Sequence, residues 1–309
     1  MSTIKDVAKK AGVSVSTASR ALNDNHRISQ ATKERVRTAA KKLGYRLNYN
    51  AKNLTSGESN IVGLILPVTG QEAFANPFHL DLMRGIAAQL APFHYEMAVA
   101  IGQTTDELLS HVHSLVENAN VTKFLVFYSL THDPVIDYLR EKKLSFVIIG
   151  QPAAAGDHFV DSNNHLAGYQ AAAFLCGQRQ VKRPAFVMST DQWPYEQERF
   201  AGVQQFVTEH HLMLKKLVLP ADGTKRLVVD DFDSIIASDD VNYLRFVTGH
   251  DDRLAALPAL CFNNSRLLGM IMPQVIKVDL LPRLIGRSAV ELLFQPEKRS
   301  QLVDFKIIE

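Results

Sequence analysis

The sequence predicts a small all-α helix-turn-helix domain followed by an α/β core of two parallel-sheet subdomains. Three observations carry this. The chain has 309 residues, about two units of the ~150 residues usual for one domain, and its 46% hydrophobic content is enough to fill real cores. Its charge is uneven: residues 1–60 hold 12 Lys and Arg against four acids (Asp6, Asp24, Glu34, Glu58), a net +8, while the remainder, 22 against 28, is −6. From Ile61 onward, apolar strand-like runs alternate with amphipathic helical patterns. A compact basic segment suits a polyanion such as nucleic acid; charge alone leaves a solvated basic face equally open.

Thr3 with Asp6 three residues on forms a capping box, and Ile4, Val7, Ala8 and Ala11 recur at helical spacing up to Gly12. Ser14 can cap a second helix that turns Ala18, Ala21 and Leu22 inward and leaves Ser16, Ser19 and Arg20 outward. Ser29 can cap a third over 30–43, with Val36, Ala39, Ala40 and Leu43 on one side and Gly44 as its stop. Three short helices with a glycine turn between the first two describe a helix-turn-helix domain. The small residues of the second helix let its backbone approach the major groove, where serine can bond either kind of base and arginine can pair bidentately with guanine.

From Thr3 through Ile-Lys-Asp-Val-Ala-Lys-Lys-Ala-Gly-Val-Ser-Val-Ser-Thr-Ala-Ser-Arg-Ala-Leu to Asn23, and again at Ile28-Ser29 and Leu43-Gly44-Tyr45, the chain resembles the DNA-binding domain of the lactose/galactose repressor (LacI/GalR) family of transcriptional regulators. The resemblance is nearly continuous over 1–60. It implies base reading by Val15, Ser16 and Arg20, and phosphate contacts by Thr3, Ser14, Thr17, Ser19, Asn23, Arg27, Tyr45 and Asn48. It divides the chain into a helix-turn-helix domain over 1–47, a hinge over 48–60 and a core over 61–309. By itself the hinge reads as a short polar linker, only marginally helical. In the family it becomes a helix on the operator, where two copies pair in the minor groove; Ala51, Lys52 and Leu54 take those places, with Leu54 as the apolar wedge.

In the core, strand-like runs fall at 61–66, 94–101, 123–128, 145–149, 184–188, 216–219, 234–237 and 257–262, with helices over 80–90, 106–119, 164–178 and 195–211 between them. Such repetition implies parallel sheets covered on both faces, with ligands beyond the strand carboxyl ends. The same family resemblance continues more loosely as a periplasmic-binding-protein-like core that holds an effector between two subdomains. It is carried by Asn76-Pro77-Phe78, the run from Val160 to Tyr169, Glu198 to Gly202, Ala237 to Asp240 and Cys261 to Ser265. It places one subdomain over about 61–160 and 278–300 and the other over about 161–277 and 301–309. The implied effector residues are Asn163, Arg199, Asp240 and Asn263, a set of amide, carboxylate and guanidinium groups suited to carbohydrate hydroxyls, with Phe74, Phe78, Trp193 and Tyr195 as aromatic faces. For Phe74 and Phe78, core packing is an equal alternative. Trp193 stands in a loop just before the helix that bears Arg199.

The chain departs from the family pattern in three places. Asn263 replaces an acid, Arg245 stands where a glycine is usual, and 202–234 is about ten residues short, as if one helix were missing. Asn76-Pro77-Phe78 and Trp193-Pro194-Tyr195 resemble maltose-type regulators, which implies a malto-oligosaccharide effector.

No G-x-G-x-x-G, P-loop, H-E-x-x-H or G-x-S-x-G motif occurs, so an enzyme is not expected, and no cofactor is implied. His111 with His113, and Glu209-His210-His211, lack the further ligands a metal site requires. Cys176 and Cys261 read as two buried thiols. No apolar run approaches a membrane span, and the charged first residues do not form a secretory signal, so the expected location is the cytoplasm. The expected partners are operator DNA, a small sugar effector and a second copy of the chain. A corepressor-dependent regulator responding to a purine or a phosphoprotein, and a sugar receptor without DNA regulation, stand as alternatives.

Overall fold

A computed structural model of the chain describes residues 2–45, 59–68, 77–220, 231–249, 252–295 and 297–309. The expected DNA contacts Asn48, Ala51, Lys52 and Leu54, the aromatic Phe74, and Asn76 lie outside the described residues, as does 221–230 within the stretch read as shortened. Contacts divide the chain into two units, Met1–Ser59 and Asn60–Glu309.

The first unit is three helices, α1 (Ile4–Ala11), α2 (Val15–Leu22) and α3 (Gln30–Lys42). Asp6 accepts from the Thr3 backbone N–H and hydroxyl, both at 2.8 Å, which closes the start of α1 and holds the Asp6 carboxyl below its usual pKa. Gly12 ends α1 at φ +65°, a left-handed conformation that glycine adopts without Cβ strain. Ser14 Oγ accepts from Thr17 N–H at 3.1 Å and Ser29 Oγ from Thr32 N–H at 3.4 Å, so each later helix starts on a serine cap. Val7, Ala8, Ala11, Ala18, Ala21, Val36, Ala39 and Ala40 form the core, whose small side chains bring the helices close. Lys33 and Arg37 both reach Asp24 at 2.9 Å and tie α3 to the loop after α2.

The second unit runs β1 (Ile61–Ile65), α4 (Pro77–Leu90), β2 (Glu96–Ala100), α5 (Thr105–Glu117), β3 (Lys123–Val126), α6 (Pro134–Glu141), β4 (Ser145–Ile149), β5 (Phe159–Ser162), α7 (Asn164–Arg179), β6 (Pro184–Ser189), α8 (Pro194–Glu209), β7 (Lys215–Leu219), β8 (Ser234–Ala237), α9 (Asp240–Gly249), β9 (Ala259–Phe262), α10 (Arg266–Ile271), β10 (Ile276–Asp279), α11 (Pro282–Phe294), β11 (Ser300–Val303) and β12 (Lys306–Ile308). The strands form two six-stranded sheets, in the orders β11-β5-β4-β3-β1-β2 and β12-β10-β9-β8-β6-β7. Every pairing is parallel except β10 with β12. The central strands are buried along their length, as parallel sheets covered on both faces require.

Each subdomain has one closely packed helix pair. A Cβ on Gly85 of α4 would meet the Arg283 carbonyl oxygen of α11 at 2.1 Å, and one on Gly168 of α7 would meet the Arg199 carbonyl oxygen of α8 at the same distance. The Gly168 approach fixes where α8 lies, and with it the backbone of Arg199.

Several boundaries differ from the sequence reading. Residues 94–101 were expected as strand, but His94 takes φ +59° and closes a short 3₁₀ turn (Ala91–Phe93), so β2 starts at Glu96. Likewise a 3₁₀ segment (Asp252–Ala256) precedes β9, which begins two residues later than expected. The chain passes between the two sheets after β5, after β10 and after β11. Within 301–309, β12 pairs with β10 in the second sheet, whereas β11 pairs with β5 at the edge of the first. Leu302 is exposed on this edge strand, so hydrophobic pattern gives little signal there.

Candidate functional site

On the first unit, the start of α2 gathers Ser14, Val15, Ser16 and Thr17, with Arg20 one turn further along. Val15 is 42% exposed, although the core beneath it is already filled. Ser14 Oγ lies 2.9 Å from Ser16 Oγ and 2.8 Å from Thr17 Oγ1, a row of hydroxyls able to turn toward phosphate or base acceptors. Arg20 is exposed and has no ion-pair partner among the described residues, in contrast to Lys33 and Arg37. Among the other expected contacts, Asn23 donates to the Ser19 carbonyl at 2.9 Å at the end of α2, Thr3 and Arg27 are exposed, and Ser19 and Tyr45 are half-buried. The surface therefore offers hydroxyl, amide, guanidinium and one apolar side chain on a single short helix and its flanks, the residue types used in groove reading.

On the second unit, a cavity of about 570 Å³ opens between the two sheets. Its walls come from the carboxyl ends of strands in both: Phe127 to Ser129 after β3, Ile149 to Gln151 at β4, Asp161 and Ser162 at β5, Ser189 to Asp191 at β6, Asp239 after β8, Asn263 after β9 and Leu280 after β10. Phe78, His79 and Leu82 of α4, and Trp193, Pro194, Tyr195 and Arg199 around α8, complete it.

A buried polar network shapes the α8 side. Glu196 is fully buried and accepts from Ser189 N–H (2.9 Å), Ser189 Oγ (2.6 Å), Trp193 N–H (3.0 Å), Ser238 Oγ (2.6 Å) and Asn242 Nδ2 (3.2 Å). These bonds fix the loop that carries Trp193. Arg199, also buried, donates through Nε to Asn164 Oδ1 at 2.9 Å and through Nη1 to the Ser238 carbonyl, and its plane lies against the rings of Tyr195 and Phe262 at 4.6 and 4.5 Å. Asp239 accepts from Asn242 N–H at 2.6 Å, yet burial pushes its carboxyl up to about 7; burial likewise raises Asp161 to about 6.

The structure brings Phe78, Trp193, Tyr195, Arg199 and Asn263 together on the cavity walls. Asn163 and Asp240 are not among the wall residues. Asn163 caps α7, accepting from Leu166 N–H at 2.9 Å, and Asp240 is buried behind the wall, where it accepts from Asn263 Nδ2 at 3.0 Å. Their neighbours Asp161 and Asp239 stand in the wall instead. Arg245 also lines it, donating to the Pro220 carbonyl at 3.0 Å. Glu196 was missed, although its place three residues after Trp193, at the start of a helix, is a capping-box position. The histidines have local uses: His111 Nδ1 lies 2.6 Å from the Ile101 carbonyl and the His113 ring 4.2 Å from that of Tyr138. No group of three potential ligands able to hold a metal occurs among the described residues.

A family profile described as "Bacterial regulatory proteins, lacI family" matches residues 3–48. The HTH-type transcriptional regulator MalR of Streptococcus pneumoniae is 32% identical over 230 residues, 74% of this chain and 68% of that protein. The chain belongs to the lacI family. It is thus a helix-turn-helix transcriptional regulator, and the family is one of regulators, not enzymes. Solved structures of similar fold span both units: the lac repressor dimer bound to operator and the anti-inducer ONPF (TM-score 0.75, 16% identity, 100% of this chain and 98% of that one), and a transcriptional regulator CelR–cellobiose complex (TM-score 0.68, 21% identity, 100% and 99%). As in lacI-family relatives, the DNA-reading helices come first and an α/β core with two sheets follows. No helix among the described residues is long and apolar enough to cross a membrane.

Proposed function

We propose that this regulator is a cytoplasmic, sugar-responsive repressor of carbohydrate-utilisation genes, which binds a pseudo-palindromic operator as a homodimer and whose DNA affinity is set by a small sugar in the cavity between the sheets. The observation that carries the reading is the cavity wall. Ring faces of Phe78, Trp193 and Tyr195 stand beside Arg199, Asp161, Asp239 and Asn263, and saccharides are held by such a mixture, their apolar faces on rings and their hydroxyls on planar polar groups. Val15, Ser16 and Arg20 supply base reading; Thr3, Ser14, Thr17, Ser19, Asn23, Arg27, Tyr45 and Asn48 position the domain on phosphates; and Ala51, Lys52 and Leu54 form the hinge that joins DNA and core, over 48–60. A malto-oligosaccharide is the first effector to try, in line with the similarity to MalR.

Binding to the folded state alone raises the melting temperature. Trp193, the chain's one tryptophan, lines the cavity and makes its fluorescence a direct reporter. Maltose or maltotriose is expected to raise Tm, perturb Trp193 emission and change operator affinity by about 5- to 150-fold. If sugars were silent and a nucleobase produced all three changes, the corepressor reading would replace this one.

A further inference from the structure

The charges around the cavity specify more than a sugar. Asp161 enters the wall from the first sheet and Asp239 from the second, and Glu196 adds a buried carboxylate behind them. The buried cation facing them, Arg199, is already committed. Its Nε serves Asn164, its Nη1 serves the Ser238 carbonyl, and the rings of Tyr195 and Phe262 lie 4.6 and 4.5 Å from its central carbon. The second wall cation, Arg245, gives Nη2 to the Pro220 carbonyl at the end of β7. Ser162, beside Asp161 in the wall and only 1% exposed, has a hydroxyl with no hydrogen-bond partner among the described residues. Buried hydroxyls are nearly always paired, so this one marks a place for a ligand's polar atom.

We infer that the cavity selects uncharged, hydroxyl-rich ligands against their phosphorylated or carboxylated counterparts, with Asp161 and Asp239 as specificity-determining residues. The inference rests on the sugar reading above and adds a charge rule to it. Ligand hydroxyls can donate to the two carboxylates, forming charge-assisted bonds against a wall in which Ser162 and Asp239 are buried. A phosphate or carboxylate placed there brings only acceptors. It meets acids from both walls, loses its hydration, and finds guanidinium groups that already serve Asn164 and the Ser238 and Pro220 carbonyls. Repulsion between like charges is weakly screened in such a site.

The test uses the full-length protein and Trp193 fluorescence at pH 8, above the raised values of both Asp161 and Asp239, with pairs of ligands differing in charge: maltose against maltobionate, and trehalose against trehalose 6-phosphate. The neutral member of at least one pair should bind, with its anionic partner on the order of tenfold to hundredfold weaker. Asp161→Asn and Asp239→Asn should each narrow that gap by about tenfold; two variants are used because either could disturb its own local hydrogen bonds, and a circular-dichroism melt confirms that each is folded. Anionic ligands binding as tightly as the neutral ones, or a gap unchanged in both folded variants, would overturn the charge rule and leave the sugar reading standing. If no saccharide of either charge bound, the sugar reading would fail and the charge rule with it.

Discussion

Asn263 Nδ2 donates to Asp240 Oδ1 across 3.0 Å, and both residues are buried. Asn263 sits at φ +74°, a left-handed conformation that asparagine tolerates better than most residues. This bond gives a physical reason for an amide where the family pattern has an acid. An aspartate at 263 would set two carboxylates face to face, next to Asp239, with no donor between them.

Asn263→Asp is therefore expected to lower the unfolding free energy at pH 7 by about 1–3 kcal/mol, through the lost bond and the new repulsion. The loss should shrink toward pH 4, where one of the two carboxyls can take up a proton and donate. Urea unfolding at the two pH values measures it; equal losses at both would show that charge is not the cause.

Arg199 is both a cavity wall and a structural strut. Removing its side chain leaves Asn164 Oδ1 and the Ser238 carbonyl without their donor and uncovers the buried acids around it. Arg199→Ala should abolish the effector response and also cost about 3–5 kcal/mol of stability, the usual penalty for breaking a buried charged network. Trp193→Phe is the companion variant, expected to weaken sugar binding while leaving the unfolding midpoint within about 1 kcal/mol of wild type. A fully stable Arg199→Ala protein in denaturant titration would contradict the network described.

Stability should fall as pH rises through the acid-to-neutral range. Burial lifts the Asp239 carboxyl to about 7 in the folded protein, against about 4 when unfolded. Between those values the folded state keeps a proton that the unfolded state has released, so the favourable contribution is complete below about pH 4 and is lost as pH approaches 7. The difference is on the order of 4 kcal/mol. Other carboxyls, such as Asp81 beside Arg84 and Arg283, are shifted the opposite way, so the informative quantity is the wild type minus Asp239→Asn. Its slope in a Tm series from pH 4 to 8 should be negative, and a flat difference would refute the assignment.

Much of this was legible in the sequence where pattern and local chemistry agree. Ser14 and Ser29 cap the helices expected of them, Ala18 and Ala21 face inward, and strands 145–149 and 234–237 have the expected limits, since each is a short apolar run with clear ends. Of the strands outside the expected runs, β5 and β11 carry polar residues, so the apolar pattern does not mark them. At the site, Arg199, Trp193 and Tyr195 were legible because a loop-to-helix junction presents them. Asn163 and Asp240 do not line the cavity, whereas Asp161 and Asp239, two and one positions earlier, do. Asn163 lies past the end of β5, where its side chain caps α7, and Asp240 opens α9, where it accepts from Asn263, so each is held away from the wall by a local bond.

On DNA, Arg20 and Lys52 are expected to fail differently. Arg20 is exposed on α2 without an ion-pair partner among the described residues, so Arg20→Ala should cost about 1–3 kcal/mol of discrimination between operator and altered sites. Lys52→Ala, in the hinge, should weaken all sequences alike and reduce the salt dependence of binding by roughly one counterion. Competition binding at several salt concentrations separates the two. Unchanged operator preference in Arg20→Ala would remove α2 from the role of reading helix.

A two-fold operator also requires two reading domains at a spacing fixed by the protein, and the core offers a surface for that pairing. Leu267, Met270 and Ile271 are exposed along α10, with Met270 at 83%, and Leu80 on α4 and Leu284 on α11 are exposed as well. The family resemblance implies dimer contacts over 76–90 and 263–272, the regions that hold Leu80 and the exposed side chains of α10. The three exposed apolar side chains of α10 suit contact with a second copy more readily than solvent. Met270→Asp should shift sedimentation from dimer toward monomer at micromolar concentration while leaving each monomer folded and its cavity able to bind sugar. Operator affinity should then fall steeply and depend on protein concentration, because each monomer holds only one half-site and the two hinge segments bearing Leu54 are no longer brought to the same base step. Leu54→Ala in the intact dimer isolates the last effect: it should weaken the operator complex and leave both the sedimentation profile and sugar affinity unchanged. A Met270→Asp protein that remained dimeric would move the pairing surface away from α10.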